Sequence, residues 1–233
     1  MLDNIVILGS LLANSRHAAP VQLAEALSQR HSVLYVEPFC YGEYRQQEDC
    51  YKACHTSLRL SAGVKILSPL SHLLSEPTYY RWLMLGMVER INATRITEEV
   101  EWALRTLGIE EYTLLIDTPS LRNSIVTELL APNALYILRW QEWQTQTEQQ
   151  EAERGLLTRC DAVLATSESL AELPRRYNQH TFNISGGIGD LAAKKSDEVW
   201  RAAARRVDAV AEMLGQREGA TNRSRARKRE VIS

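Results

Sequence analysis

The chain has 233 residues, of which 45% are hydrophobic and 24% charged, a composition typical of a globular protein with a sizeable core. The net charge of −2 gives no sign of nucleic-acid binding. Residues 216–233 carry six arginine and lysine residues against two glutamates, which gives this segment +4 and the remainder −6. We expect this segment to be a basic disordered tail.

Several classes of protein are excluded by simple patterns. The sequence has no apolar run of about 18 residues that could span a membrane. Its start has neither a basic n-region nor a small-residue cleavage site and resembles a first strand. Four cysteines are too few for a disulfide scaffold. We therefore expect a cytoplasmic protein, with peripheral contact at the inner face of the membrane through the basic tail as an open alternative.

Short apolar runs alternate with longer amphipathic stretches along the chain. The apolar runs predict strands at residues 4–9, 32–37, 64–67, 112–117, 133–138, 161–166 and 180–185. Helical spacing follows at residues 18–30, 78–91, 94–107, 121–130, 142–158 and 196–214. Apolar strands separated by helices predict an α/β fold with a doubly wound, mostly parallel, Rossmann-like sheet of about seven strands. Helices cover both faces of this sheet.

This organisation divides the chain into three parts. Residues 1–190 form the Rossmann-like domain, residues 191–215 a C-terminal helix that packs back on it, and residues 216–233 the tail. In such sheets, ligands bind beyond the carboxyl ends of the strands. The segments that follow the strands are therefore the places to search for a site.

Cofactor and metal motifs are absent from the sequence. The turn after the first strand lacks the G-x-G-x-x-G spacing of a dinucleotide site. Cys50, Cys54 and His55 match no common zinc pattern, and no G-x-S-x-G elbow indicates a hydrolase. We expect no metal and no cofactor. Gly186, Gly187 and Gly189 form a candidate phosphate nest, with an ordinary flexible turn as the alternative.

Two strand ends carry polar side chains that could do chemistry. Asp117 ends one strand and could serve as a base or cap the following helix. Arg139, Glu142 and Trp143 lie together just after another strand. Aromatic rings for stacking beside planar polar groups are typical of carbohydrate sites. As an alternative, Trp143 and its neighbour Trp140 could equally cover one end of the core.

Five segments, taken in order, resemble the N-terminal, acceptor-side domain of GT-B glycosyltransferases. The similarity is to family-4-like bacterial enzymes of polysaccharide and teichuronic acid biosynthesis, and it covers about residues 4–190. The segments are SRH at 15–17 with QLAEAL at 22–27, HSVLYVEP at 31–38, LLIDTP at 114–119, RCDAVLATSESL at 159–170 and NISGGI at 183–188.

Two departures from the family alter what the resemblance implies. The family's second, donor-binding domain has no counterpart, because the sequence passes almost directly from Gly189 to a helix that resembles the family's C-terminal tryptophan helix. The family's Asp-Asp-Trp signature is Gln-Glu-Trp at residues 141–143.

The resemblance implies a protein of polysaccharide or glycan biosynthesis that binds a saccharide or lipid-linked acceptor. It assigns acceptor binding to Arg16, His17, Asp117, Arg139, Glu142 and Trp143, with Asp117 and Glu142 as catalytic candidates. Transfer from a nucleotide sugar would need a donor site supplied by a partner protein or a homo-oligomer. A non-catalytic pseudo-glycosyltransferase scaffold and a self-sufficient enzyme that uses the glycine nest remain alternatives.

Overall fold

The computed structural model describes residues 3–11, 19–38, 57–69, 73–74, 81–118, 120–139, 147–184 and 196–230. The strands are β1 (Asn4–Leu8), β2 (Ser32–Val36), β3 (Ser57–Ser61), β4 (Val64–Ser68), β5 (Thr113–Ile116), β6 (Ala134–Arg139), β7 (Ala162–Ala165) and β8 (Thr181–Asn183). The helices are α1 (Ala19–Leu27), α2 (Arg81–Leu107), α3 (Leu121–Leu130), α4 (Thr147–Arg159), α5 (Glu168–Arg175) and α6 (Ser196–Glu230).

All these strands form one sheet with the order β3-β4-β2-β1-β5-β6-β7-β8. Every neighbouring pair is parallel except β3 and β4. The chain builds outward from β1 through β2 and β4, then returns to the other side of β1 with β5 and continues through β6 to β8. The predicted doubly wound, Rossmann-like α/β fold is confirmed.

The central strands of the sheet are buried on both faces, as their apolar sequences require. Along β1, Ile5 and Ile7 pack in the cluster that α1 and α6 cover. Val6 and Leu8 point the other way, into the cluster that α2, α3 and α4 cover. The alternation of side chains along each strand therefore supplies two cores from one sheet.

The predicted C-terminal helix packs back on the sheet beside α1. Trp200, Ala203 and Val207 of α6 belong to the same apolar cluster as α1. Asp208 fixes the contact, because its carboxylate accepts a hydrogen bond from Arg30 Nη1 at 2.9 Å and lies 2.7 Å from His31 Nε2. These polar contacts thus lie at one end of the apolar interface between α1 and α6.

Four elements differ from the sequence prediction, and one of them is the short helix α5, where no helical spacing was predicted. The edge strand β3 was missed because it is short and largely exposed, and it joins β4 through Ala62 and Gly63, which both have positive φ. One helix, α2, replaces the two helices that were predicted on either side of residues 92–93. Asn92 is buried at this place, and its side-chain amide bonds to the backbone N and O of Leu74 without interrupting the helix.

The last difference lies at the C-terminus, where α6 continues to Glu230. The prediction placed the end of the helix near Gly215 and a disordered tail beyond it. The added segment is rich in Ala, Arg, Lys, Glu and Gln, which have high helix propensity, and basic residues suit the negative end of the helix dipole.

A buried ion pair holds α2 against α3. Arg122 donates from Nε and Nη2 to the two carboxylate oxygens of Glu89 at 2.6 and 2.7 Å. Such a bidentate pair is both strong and directional. Because Glu89 is only 5% exposed, its charge depends on this arginine for compensation.

We expect Arg122→Ala to lower the free energy of unfolding by about 3 kcal/mol, because it removes the positive charge that compensates the buried Glu89 carboxylate. Urea unfolding followed by circular dichroism measures the change. The matched control is Arg105→Ala, which removes an exposed pair with Glu101 and should cost no more than about 0.5 kcal/mol. Equal effects of the two variants would contradict the prediction.

Candidate functional site

The strand order reverses between β1 and β5, so the carboxyl ends of these two strands mark the topological switch point of the sheet. Leu8 and Ile116 are register partners there. In doubly wound sheets, the crevice at this point is where ligands bind. The residues that follow each strand, Gly9 to Leu11 and Asp117, therefore form the candidate site. We call Gly9–Leu11 the β1 turn.

Asp117 fastens the β1 turn to the end of β5. Its Oδ2 atom accepts hydrogen bonds from Ser10 N at 2.9 Å and from Ser10 Oγ at 2.7 Å. The side chain is enclosed, and only 1% of Asp117 is exposed. Burial raises the pKa of this carboxyl above its ordinary value, while hydrogen bonds from Ser10 and Thr118 act in the opposite direction.

The alternative in which Asp117 caps the next helix is wrong. Ser120 is the N-cap of α3, and its Oγ accepts a hydrogen bond from Asn123 N at 3.1 Å. Two polar residues near one strand end thus have separate functions. Ser120 satisfies the helix terminus, and Asp117 is left to bind the turn on the neighbouring strand.

Tyr35 of β2 holds the β1 turn from its other side, and sequence analysis did not single it out. Its hydroxyl donates to Leu11 O at 2.8 Å, and its ring lies against Gly9. A Cβ atom on Gly9 would stand 2.1 Å from the Tyr35 hydroxyl oxygen. Burial, with Asp117 and Glu37 nearby, raises the pKa of Tyr35. A tyrosine within a buried strand was the available signal, because its hydroxyl needs a partner.

Glu37 lies just beyond the end of β2 and is also buried. It accepts hydrogen bonds from Arg59 Nη2 at 2.7 Å and Ser68 Oγ at 2.5 Å. These contacts tie the β3–β4 hairpin to the carboxyl edge. Glu37 is thus engaged by the protein itself, although an acidic residue near this place in a dinucleotide-binding sheet bonds to ribose.

Arg139 ends β6 with its side chain buried on the side of α4. Its Nη1 lies 3.7 Å from Oε1 of Glu153, and both side chains are less than a tenth exposed. Burial raises the pKa of Glu153, against the opposing effect of Arg139 and Arg154. Asp117 and Arg139 therefore end adjacent strands, but neither side chain opens to solvent.

The remaining predicted site residues lie outside the described residues. They are Arg16, His17, Glu142 and Trp143 of the acceptor set, and Gly186, Gly187 and Gly189 of the phosphate nest. Within the described ranges, no cluster of His, Cys, Asp and Glu could hold a metal ion. Burial raises the pKa of Cys160 to about 12, so this thiol is a poor nucleophile.

Neither a protein-family model nor a curated protein matches this chain. No helix in the described part of the chain is long and apolar enough to cross a membrane. The case for a function therefore depends on the switch-point geometry and on the segments that build it.

The contact between Gly9 and Tyr35 predicts a cost for any side chain at Gly9. We expect Gly9→Ala to lower the free energy of unfolding by about 1–3 kcal/mol, because the added methyl overpacks against a buried ring. Gly155→Ala is the matched control, since nothing lies within 4 Å of its Cβ position in α4. Urea unfolding should show the control gaining about 0.5–1 kcal/mol.

The buried carboxyl of Asp117 predicts a pH dependence of stability. Because its pKa is raised, its contribution to stability is fully present below the ordinary value of 3.8 and is lost as pH rises through the folded pKa. Asp117→Asn keeps an oxygen that accepts from Ser10 but does not titrate. Urea unfolding across a pH series should therefore show this variant gaining stability over wild type as pH rises.

A second variant tests the same cause. Ser10→Ala removes a hydrogen bond that lowers the Asp117 pKa, so it should move the loss of stability to higher pH. A stability difference between Asp117→Asn and wild type that stays constant across the pH series would contradict the assignment.

Proposed function

We propose that this protein is a glycosyltransferase-like protein of glycan biosynthesis that binds a saccharide or lipid-linked acceptor at the switch point of its sheet. The observation that carries the proposal is the β1 turn, held in place by Asp117 from β5 and Tyr35 from β2. Ser10 remains partly exposed on this fixed turn. A binding site gains affinity when its groups are positioned before the ligand arrives.

The resemblance to GT-B acceptor domains supports the same place. The segment HSVLYVEP contains β2 with Tyr35 and Glu37, and the segment LLIDTP contains the end of β5 with Asp117. Two of the family-like segments thus supply three of the buried polar groups around the β1 turn. The remaining acceptor candidates, Arg16, His17, Glu142 and Trp143, belong to this proposal through the resemblance alone.

Sugar transfer makes a further demand on the protein. A nucleotide-sugar donor releases a diphosphate, which must be stabilised by cations or by backbone N–H groups as its charge develops. The described residues form one sheet. We therefore propose that transfer requires a donor-binding domain from a partner protein or from a second copy of the chain.

The test begins with saccharide binding by the purified chain. Saturation-transfer NMR with neutral mono- and disaccharides, and with a polyprenyl-linked saccharide in detergent micelles, should detect binding. Ser10→Trp should abolish it by filling the open side of the β1 turn. Ser28→Trp is the matched control. Ser28 is a partly buried serine just after α1, on the side of the molecule where β2 begins, and it donates a hydrogen bond to Glu25 O.

The outcomes separate the alternatives. Binding that only Ser10→Trp abolishes, with no turnover of nucleotide sugars by the chain alone, supports the acceptor-side proposal. Turnover by the chain alone contradicts it and favours a self-sufficient enzyme with its own donor site. Absence of saccharide binding contradicts it as well, and leaves the scaffold as the remaining function.

A further inference from the structure

The backbone and hydroxyl donors at the start of the β1 turn are all used inside the protein. Gly9 N donates to Val36 O at 3.0 Å, and Ser10 N donates to Asp117 Oδ2 at 2.9 Å. Ser10 Oγ donates its single proton to the same carboxylate oxygen at 2.7 Å. None of these three donors points outward to a ligand.

A serine hydroxyl has one proton and two acceptor lone pairs. Because the proton of Ser10 is directed to Asp117, the hydroxyl oxygen of this partly exposed residue has only lone pairs left for an incoming ligand. It can therefore accept a hydrogen bond from a hydroxyl or ammonium group. It cannot donate one to a phosphate or carboxylate oxygen while the bond to Asp117 lasts.

The negative charge around the β1 turn also disfavours a phosphate ligand. Asp117 and Glu37 are both buried near this turn, and the negative charge of each raises the pKa of Tyr35, which lies between them. A phosphate bound beside Ser10 would approach two carboxyl groups, and the described donors of Gly9 and Ser10 are engaged within the protein. Phosphate-binding turns of doubly wound sheets have the opposite arrangement, with N–H groups directed at the ligand.

We propose that Ser10 is a specificity-determining residue, whose hydroxyl oxygen accepts a hydrogen bond from a neutral sugar hydroxyl of the acceptor, and that the β1 turn rejects phosphate. The inference rests on the proposed function. It means that the sugar of a lipid-linked acceptor, rather than its phosphate, lies against the end of β1. Asp117, enclosed behind Ser10, is then a positioning residue that directs the Ser10 proton away from the ligand.

The experiment uses ¹⁵N-labelled full chain and follows the Ser10 and Leu11 amide signals during titration. The probes are the methyl glycosides of glucose, galactose and N-acetylglucosamine, their 6-phosphates, and inorganic phosphate. In wild type, at least one methyl glycoside should shift both signals, whereas inorganic phosphate should leave them in place. Each 6-phosphate should bind no more tightly than its neutral counterpart.

Substitutions then assign the effect to the Ser10 oxygen. Ser10→Ala should weaken binding of the methyl glycoside about tenfold, as expected for one hydrogen bond in a binding site. Ser10→Thr restores the hydroxyl and should recover most of the affinity, which a loss of folding would not allow. Ser28→Ala, the control at the serine that follows α1, should bind as wild type does.

Two results would overturn the inference while leaving the proposed function intact. One is methyl glycoside binding that Ser10→Ala does not weaken. The other is a shift of the Ser10 amide by inorganic phosphate, with tighter binding of the 6-phosphates than of the glycosides. If no methyl glycoside binds wild type, the inference fails, and the proposed function fails with it only if the polyprenyl-linked saccharide does not bind either.

Discussion

The hydrogen bonds from Ser10 to Asp117 are the interaction on which the carboxyl edge of this sheet depends. They join the residues just after β1 and β5, the two strands between which the direction of sheet building reverses. A strand end at such a point has no helix directly above it. Without Asp117, both polar groups of Ser10 would need other partners. Asp117 accepts hydrogen bonds from both, and its carboxylate is enclosed rather than solvated.

The position of the β1 turn also explains the identity of the residues around it. Tyr35 fills the space beside Gly9, so the turn needs a residue without a side chain at that position. The Tyr35 hydroxyl is satisfied by Leu11 O, and Glu37 is satisfied by Arg59 and Ser68. The buried side chains of Asp117, Tyr35 and Glu37 thus each have a hydrogen-bond partner within the protein, as burial requires. The consequence for chemistry is that the donors at Gly9 and Ser10 are engaged, while the lone pairs of the Ser10 hydroxyl oxygen remain available to a ligand.

This arrangement bears on the proposed acceptor-side function. A sugar is rich in hydroxyl donors, which suits the Ser10 oxygen with buried carboxyl groups nearby. The same carboxyl groups disfavour a nucleotide diphosphate beside Ser10. The proposal that the donor is held elsewhere, by a partner or a second copy of the chain, therefore agrees with the chemistry of the β1 turn as well as with the family resemblance.

The sequence by itself determined the doubly wound sheet, because burial on both faces gives strands a continuous apolar pattern and helices a periodic one, and both patterns are local. It also placed Asp117 at the carboxyl edge of the sheet, since the last residue of an apolar run marks a strand end. Only the tertiary structure decided what Asp117 does. Its partner Ser10 is 107 residues away and becomes a neighbour only when β1 and β5 pair. The break predicted between two helices at residues 92–93 was wrong for the same physical reason, because Leu74, the partner of the buried Asn92 amide, lies 18 residues away along the chain. The strand β3 was missed for a different reason: its partner β4 is its neighbour in sequence, but its largely exposed side chains form no continuous apolar run.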